Sequence, residues 1–190
     1  MEMKLVFLGA PGAGKGTQAQ MLAMKRAWAH ISTGEMLRSA VSGGTELGKR
    51  VKDIMESGKL VPDELMVDLI RARIKEKDCA GGCILDGFPR TVAQATALAA
   101  MFRELGEKLA GVVLFEVPPA DLEKRLASRR GTEARKDDSV EVQRERLRVY
   151  EQQTKPLIEF YEKAGLLLRV SAGGSIGEVQ ERLVATLAGA

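Results

Sequence analysis

Residues 9 to 17 read Gly-Ala-Pro-Gly-Ala-Gly-Lys-Gly-Thr and stand between an apolar run, Leu5-Val6-Phe7-Leu8, and a segment with helical periodicity. A buried strand that ends in a glycine-rich turn and a helix start aims several backbone N–H groups, and the positive end of a helix dipole, into one small volume. Phosphate suits that volume. Gly9, Gly12 and Gly14 let the backbone approach an anion closely, and Lys15 can reach the outer phosphates of a nucleoside triphosphate. A hydroxyl residue usually follows such a lysine directly. Here Gly16 takes that place and Thr17 comes next, which leaves open which hydroxyl approaches a metal.

Working outward, four more short apolar runs resemble the first: 28–31, 83–85, 112–115 and 166–170. Helical pattern separates each from the next, and none alternates as a half-exposed strand would. Buried strands alternating with helices predict an α/β fold with a parallel sheet of five strands covered on both faces. In such sheets ligands bind beyond the carboxyl ends of the strands, so the residues just after each run are the ones that matter.

A chain of 190 residues is enough for one core with small insertions, burying about 70% of its unfolded surface. The formal charge of +3 is mild, and one Trp, two Tyr and five Phe provide no stacking platform for single-stranded nucleic acid, which is therefore not an expected partner. Cys79 and Cys83, with His30 as the one histidine, cannot complete a four-ligand zinc site without borrowed carboxylates. They read as free thiols in a reducing compartment. No apolar run approaches the length of a membrane span, and the first stretch leads straight into the phosphate loop, so a cytoplasmic protein with no membrane partner is expected.

The strand ends carry the rest of the chemistry. After the second run come Ser32-Thr33-Gly34-Glu35-Met36-Leu37-Arg38, where Ser32 and Glu35 have the spacing of a capping box and Arg38 has no such explanation. Residues 45 to 57 and 63 to 77 read as helices, with Asp63 able to cap the second. The stretch 33–63 has no strand of its own and reads as a helical excursion sized to cover a second ligand. The third run closes in Asp86-Gly87-Phe88-Pro89-Arg90-Thr91, a carboxylate at a strand end of the kind that faces magnesium through water. Thr91 and Gln94 form a second candidate capping box.

Further on, Lys124, Arg125, Arg129, Arg130, Arg135 and Lys136 surround a short loop at Gly131-Thr132-Glu133-Ala134. A long helix is predicted from about 139 to 163, with Leu147, Tyr150, Leu157 and Tyr161 at core spacing and a kink at Pro156. It carries Arg144, Arg146 and Arg148, which cannot all face one partner. Arg38, Arg90, Arg129, Arg135 and Arg146 exceed what one triphosphate needs. Guanidinium forks match phosphate oxygens two at a time, so arginines on several segments fit transfer between two phosphorylated ligands. No His, Cys or Ser is placed as a nucleophile, which points to direct in-line phosphoryl transfer.

The motifs Gly9 to Thr17 with Gln18, Ser32 to Arg38, Gly58-Lys59-Leu60-Val61, Asp86 to Thr91 with Gln94, and Arg135-Lys136-Asp137-Asp138 together resemble the adenylate kinases. The resemblance covers nearly the whole chain and is specific in its order. It implies a P-loop NTPase-like three-layer fold: one CORE over residues 1–190, an AMP-binding insertion at 33–63 and a short LID at 129–138. It also implies reversible conversion of MgATP and AMP into two ADP by a monomer. By the same resemblance Gly12, Ala13, Gly14, Lys15, Gly16, Thr17, Arg125 and Arg129 serve ATP. Thr33, Arg38, Lys59, Val61, Gly87, Arg90, Gln94, Arg135 and Arg146 serve AMP. Lys15, Arg90, Arg129, Arg135 and Arg146 are the implied catalytic set, and Asp86 would hold hydrated Mg2+.

Three features depart from that pattern. Glu35 stands where the family usually has aspartate, and residues 24–29 look compressed ahead of the second strand. The span between Arg130 and Arg135 is too short for the four-cysteine zinc site of long-LID relatives, so no structural zinc is expected. Uridylate and cytidylate kinases share the phosphate loop and the Gly-Phe-Pro-Arg run but usually carry Asn where Thr91 stands. A guanine-nucleotide switch would need asparagine in its base-reading motif, and the chain has none.

Overall fold

All five apolar runs form strands in the computed structural model, which describes residues 3–132 and 139–189, with only the helical backbone described for 129–132. The strands are β1 (Lys4–Leu8), β2 (Ala29–Ser32), β3 (Cys83–Asp86), β4 (Gly111–Glu116) and β5 (Leu167–Ser171). Every pairing is parallel, and their order across the sheet is β2-β3-β1-β4-β5. The chain fills one side of β1 with β2 and β3, then crosses to the other side for β4 and β5. That reversal opens a crevice at the carboxyl ends of the central strands.

Side-chain alternation divides the core into two layers. Val6 and Leu8 point with Ile31, Leu85, Val112 and Leu114 toward one face, while Leu5 and Phe7 point with Ile84, Val113, Phe115 and Val170 toward the other. Both faces are buried, which is why the strands read as unbroken apolar runs. Helices α1 (Lys15–Arg26) and α9 (Ile176–Ala188) cover the second layer through Leu22, Val179 and Leu183. Helices α4 (Asp63–Arg73), α5 (Val92–Glu104) and α8 (Pro156–Lys163) cover the first through Ile70, Leu98, Met101 and Leu157.

The compressed 24–29 segment is accommodated by Ala27, which ends α1 at φ 55° while Trp28 N–H bonds back to the Ala23 carbonyl at 3.0 Å. Beyond β2, α2 (Thr33–Ser42) and α3 (Glu46–Glu56) form a helical pair without a strand, as the pattern predicts. The first capping box does not form. Thr45, Thr91, Ser139 and Ser175, whose side chains accept a helix N–H, have ψ of 158–161°, whereas Ser32 has ψ 104° and makes no cap bond. Ser32 is also the last residue of β2, in register with Asp86, and the sheet sets its backbone.

Four other local expectations are corrected. Helix α4 stops at Arg73 rather than 77, where the guanidinium forks onto Asp78 at 2.8 and 2.6 Å and a short 3-10 turn, Lys77–Cys79, follows. Asp63 does not cap α4 but is its first residue, with its carboxylate turned to other partners. The long helix is two helices, α7 (Val140–Val149) and α8, joined by a π turn over Tyr150–Thr154 in which Lys155 N–H reaches the Tyr150 carbonyl at 2.8 Å. Pro156 lacks an N–H and would press on the preceding turn of a continuous helix; the wider π turn relieves that conflict before the proline starts α8. Val149 is buried and Leu147 only half-buried, so the wider turn shifts the core positions. Helix α6 (Pro119–Thr132) takes in Gly131 and Thr132, read from sequence as loop.

Candidate functional site

The loops beyond β1 and β3 border a cleft of about 740 Å³ that reaches from the phosphate loop to the α2–α3 insertion. At one end the backbone of Gly9 to Thr17 curls around the start of α1. Gly12 has φ 87°, and a Cβ there would lie 2.9 Å from Leu126 of α6, so the loop and α6 pack closely only with glycine. Lys15 Nζ donates to the carbonyls of Gly9 and Ala10 at 2.8 and 3.0 Å. Arg125 reaches in from α6 and donates to Ala13 O at 3.4 Å and Ala172 O at 2.6 Å, tying the loop to the chain after β5. Gly12, Ala13, Gly14, Lys15, Gly16, Thr17 and Arg125 thus all border the same end of the cleft.

Asp86 closes β3 beside that loop. A Cβ on Gly16 would meet Asp86 Oδ2 at 3.3 Å, so a side chain at 16 would crowd this carboxylate where it lies against the helix start. Burial works against the charge on Asp86. His30 beside it and the positive charge of Lys15 outweigh that cost and hold its carboxyl below the ordinary value. Among the described residues, no group of three or more His, Cys, Asp or Glu is arranged to hold a metal alone. A single ionised carboxylate beside a phosphate loop suits magnesium, which keeps most of its waters and takes its other ligands from nucleotide phosphates.

The other end of the cleft gathers arginines. Arg90 Nε donates to Gly87 O at 2.9 Å, and Thr33 Oγ1 donates to the same carbonyl at 3.0 Å. Gly87 has φ 84°, and a Cβ there would sit 2.7 Å from Thr33 Oγ1, so this convergence of two chain segments requires glycine. The surrounding protein, and then the like charges of Arg146 and Arg38, lower the pKa of Arg90 although its side chain is open to the cleft. Three guanidinium groups near enough to repel one another give this end of the cleft a positive charge that would favour an anion. Lys59, Val61 and Gln94 border this end as well. Of Arg144, Arg146 and Arg148, Arg146 lines the cleft and Arg148 turns away to Glu145 and Gln152.

The structure therefore brings together every described site residue singled out from the sequence. Arg135, with Lys136, Asp137 and Asp138, lies outside the described residues, as do the side chain of Arg129 and most of the 129–138 segment. Sequence reasoning missed His30 as a neighbour of Asp86 and Thr154, whose hydroxyl donates to the Arg90 carbonyl at 2.9 Å from the π turn. It also gave Asp63 the wrong task. A proline following an unusual polar run was the available signal for the turn, but nothing local announces the other two.

A family model described as adenylate kinase matches residues 7–166. An adenylate kinase of Thermus thermophilus is 49% identical over 183 residues, covering 96% of each chain. One of Thermobifida fusca is 48% identical over 185 residues, covering 97% of this chain and 98% of its own. A third, from Stenotrophomonas maltophilia, is 44% identical over 187 residues, 98% of this chain and 100% of its own. With the phosphate loop and the arginine cluster facing each other across one cleft, and matches of this extent, the chain belongs to the adenylate kinase family.

Proposed function

We propose that this chain transfers the terminal phosphoryl group of MgATP directly to AMP, giving two ADP reversibly. The observation that carries this reading is the single cleft with two cationic ends, Lys15 and Arg125 at one and Arg38, Arg90 and Arg146 at the other. One nucleotide needs one such end; transfer between two nucleotides needs both, facing each other.

In this reading the loop from Gly12 to Thr17 and Lys15 bind the ATP phosphates, and Arg125 binds beside them. Arg38, Arg90 and Arg146 bind the AMP phosphate, with Thr33, Lys59, Val61 and Gly87 shaping its site and Gln94 reading the adenine edge. Lys15, Arg90 and Arg146, joined by Arg129 and Arg135, bracket the group in flight and disperse its charge. Asp86 would hold the hydrated magnesium of the nucleotide, and the ion would supply charge neutralisation. Residues 33–63 serve as the AMP-binding insertion and 129–138, most of which lies outside the described residues, as the LID. The protein acts as a cytoplasmic monomer on free ATP, AMP and ADP, a setting with which its buried, unpaired thiols agree.

A coupled assay with MgATP and AMP, UMP, CMP or GMP tests the reading. AMP should support ADP formation far better than the others. ATP binding without AMP-dependent ADP formation would overturn the proposal, and preference for UMP or CMP would reassign the acceptor. Arg135→Ala should cut phosphoryl transfer by roughly 10²-fold or more while leaving AMP binding nearly intact.

A further inference from the structure

Gln94 is 2% exposed, and both ends of its amide are engaged by groups that tolerate only one orientation. Its Oε1 accepts from the Arg90 backbone N–H at 2.7 Å, and its Nε2 donates to Asp63 Oδ1 at 2.7 Å. A peptide N–H can only donate and a carboxylate can only accept, so turning the amide over would set donor against donor and acceptor against acceptor. Asp63 is itself held, because Thr91 Oγ1 donates to its other oxygen at 2.9 Å. The carboxylate spans the start of α4 and the start of α5 and does not line the cleft.

The amide keeps one N–H and one oxygen lone pair beyond these bonds. Adenine offers a ring acceptor at N1 next to a 6-amino donor, which complements that remaining pair. A 6-oxopurine reverses both, with N1–H as donor and O6 as acceptor, and meets like against like. We propose that Asp63 is a positioning residue for substrate choice: by fixing the orientation of the Gln94 amide, it selects a 6-aminopurine monophosphate over a 6-oxopurine one. The inference rests on the reading of Gln94 as the residue that meets the base.

AMP and IMP test it, because they differ only at the edge in question. Values of kcat/KM for both are measured with MgATP in the parent and in Asp63→Ala, Asp63→Asn and Gln94→Ala, with a thermal melt of each. Asp63→Ala leaves only the Arg90 N–H to oppose a turn of the amide, so the AMP-to-IMP ratio should fall about tenfold, the scale of one misplaced polar contact. Asp63→Asn retains a carbonyl acceptor for Gln94 Nε2 and should recover most of the ratio. Asp63→Ser, too short to reach the amide, replaces the alanine variant if that one does not fold. Equal losses for AMP and IMP in Asp63→Ala, with the ratio unchanged, would make Asp63 a structural tie and overturn the proposal, even where Gln94→Ala lowers the ratio. A ratio unchanged in Gln94→Ala would instead overturn the base-reading role of Gln94, and the proposal with it.

Discussion

His30 and Asp86 meet across neighbouring parallel strands, with His30 Nε2 3.5 Å from Asp86 Oδ2. The separation is long for a hydrogen bond, so the contact is a weak polar one. Burial alone would raise the Asp86 carboxyl, but His30, Lys15 and Arg90 together hold it below its ordinary value. A carboxyl depressed in the folded state contributes its full stability above the unfolded value, about pH 4, and loses it as pH falls toward the folded value. Asp86→Asn removes that contribution. Urea unfolding should show parent stability, relative to the variant, highest near neutral pH and declining below about pH 4. A difference that does not change on acidification would contradict this account of Asp86.

Lys15 lies on its own loop, bonded to the carbonyls of Gly9 and Ala10. To serve phosphate it exchanges those neutral acceptors for charged oxygens, and the gain is largest where charge builds up in transfer. Lys15→Met should lower kcat by roughly 10²-fold or more, with a much smaller rise in the KM for ATP. An unchanged kcat would remove Lys15 from the catalytic set.

Cys79 and Cys83 are both buried, and burial is the main cause that pushes their thiols up to about 11 and about 12. The thiolate is the reactive form, so neither should react at mildly alkaline pH while the protein is folded. Titration with an aromatic disulfide at about pH 8 should register no thiol in buffer and both in denaturing urea. Rapid reaction of either in the folded protein would show that its burial is readily lost.

Ala27 occupies the left-handed region at φ 55°, and its side chain is exposed. A Cβ costs about 1 kcal/mol in that conformation, and glycine removes the cost while losing no packing. Set against the greater freedom of glycine in the unfolded chain, Ala27→Gly should stabilise the fold by about 0.5 kcal/mol, read from the urea midpoint at constant slope. A destabilised variant would mean that the turn at 27 is not strained.

Spacing proved a partial guide even where motifs looked alike. Ser32 and Glu35, Thr91 and Gln94, and Ser175 and Glu178 share one spacing, yet only Ser175 and Glu178 exchange both bonds of a capping box. Thr91 caps its helix, but the Gln94 side chain passes over the Thr91 N–H to reach that of Arg90. Ser32 does neither, because its backbone belongs to the sheet. Propensity sets what a side chain can bond; the segment packed beside it sets what it does bond.

From the sequence alone came the five strands, their parallel sense and the phosphate loop, while the resemblance to the adenylate kinases supplied most of the residues that border the cleft. The first three follow from short-range causes: an apolar run must be buried, and a glycine turn that leads into a helix makes a place for phosphate. Tertiary structure alone decided the strand order, the π turn that brings Thr154 to Arg90, the contact of His30 with Asp86, and the task of Asp63. Asp63 stands 28 positions from Thr91 and 31 from Gln94, and only the docking of α4 beside α5 brings its carboxylate to both. No local pattern specifies such a meeting, because which acceptor a buried amide finds depends on how distant helices close over the same core.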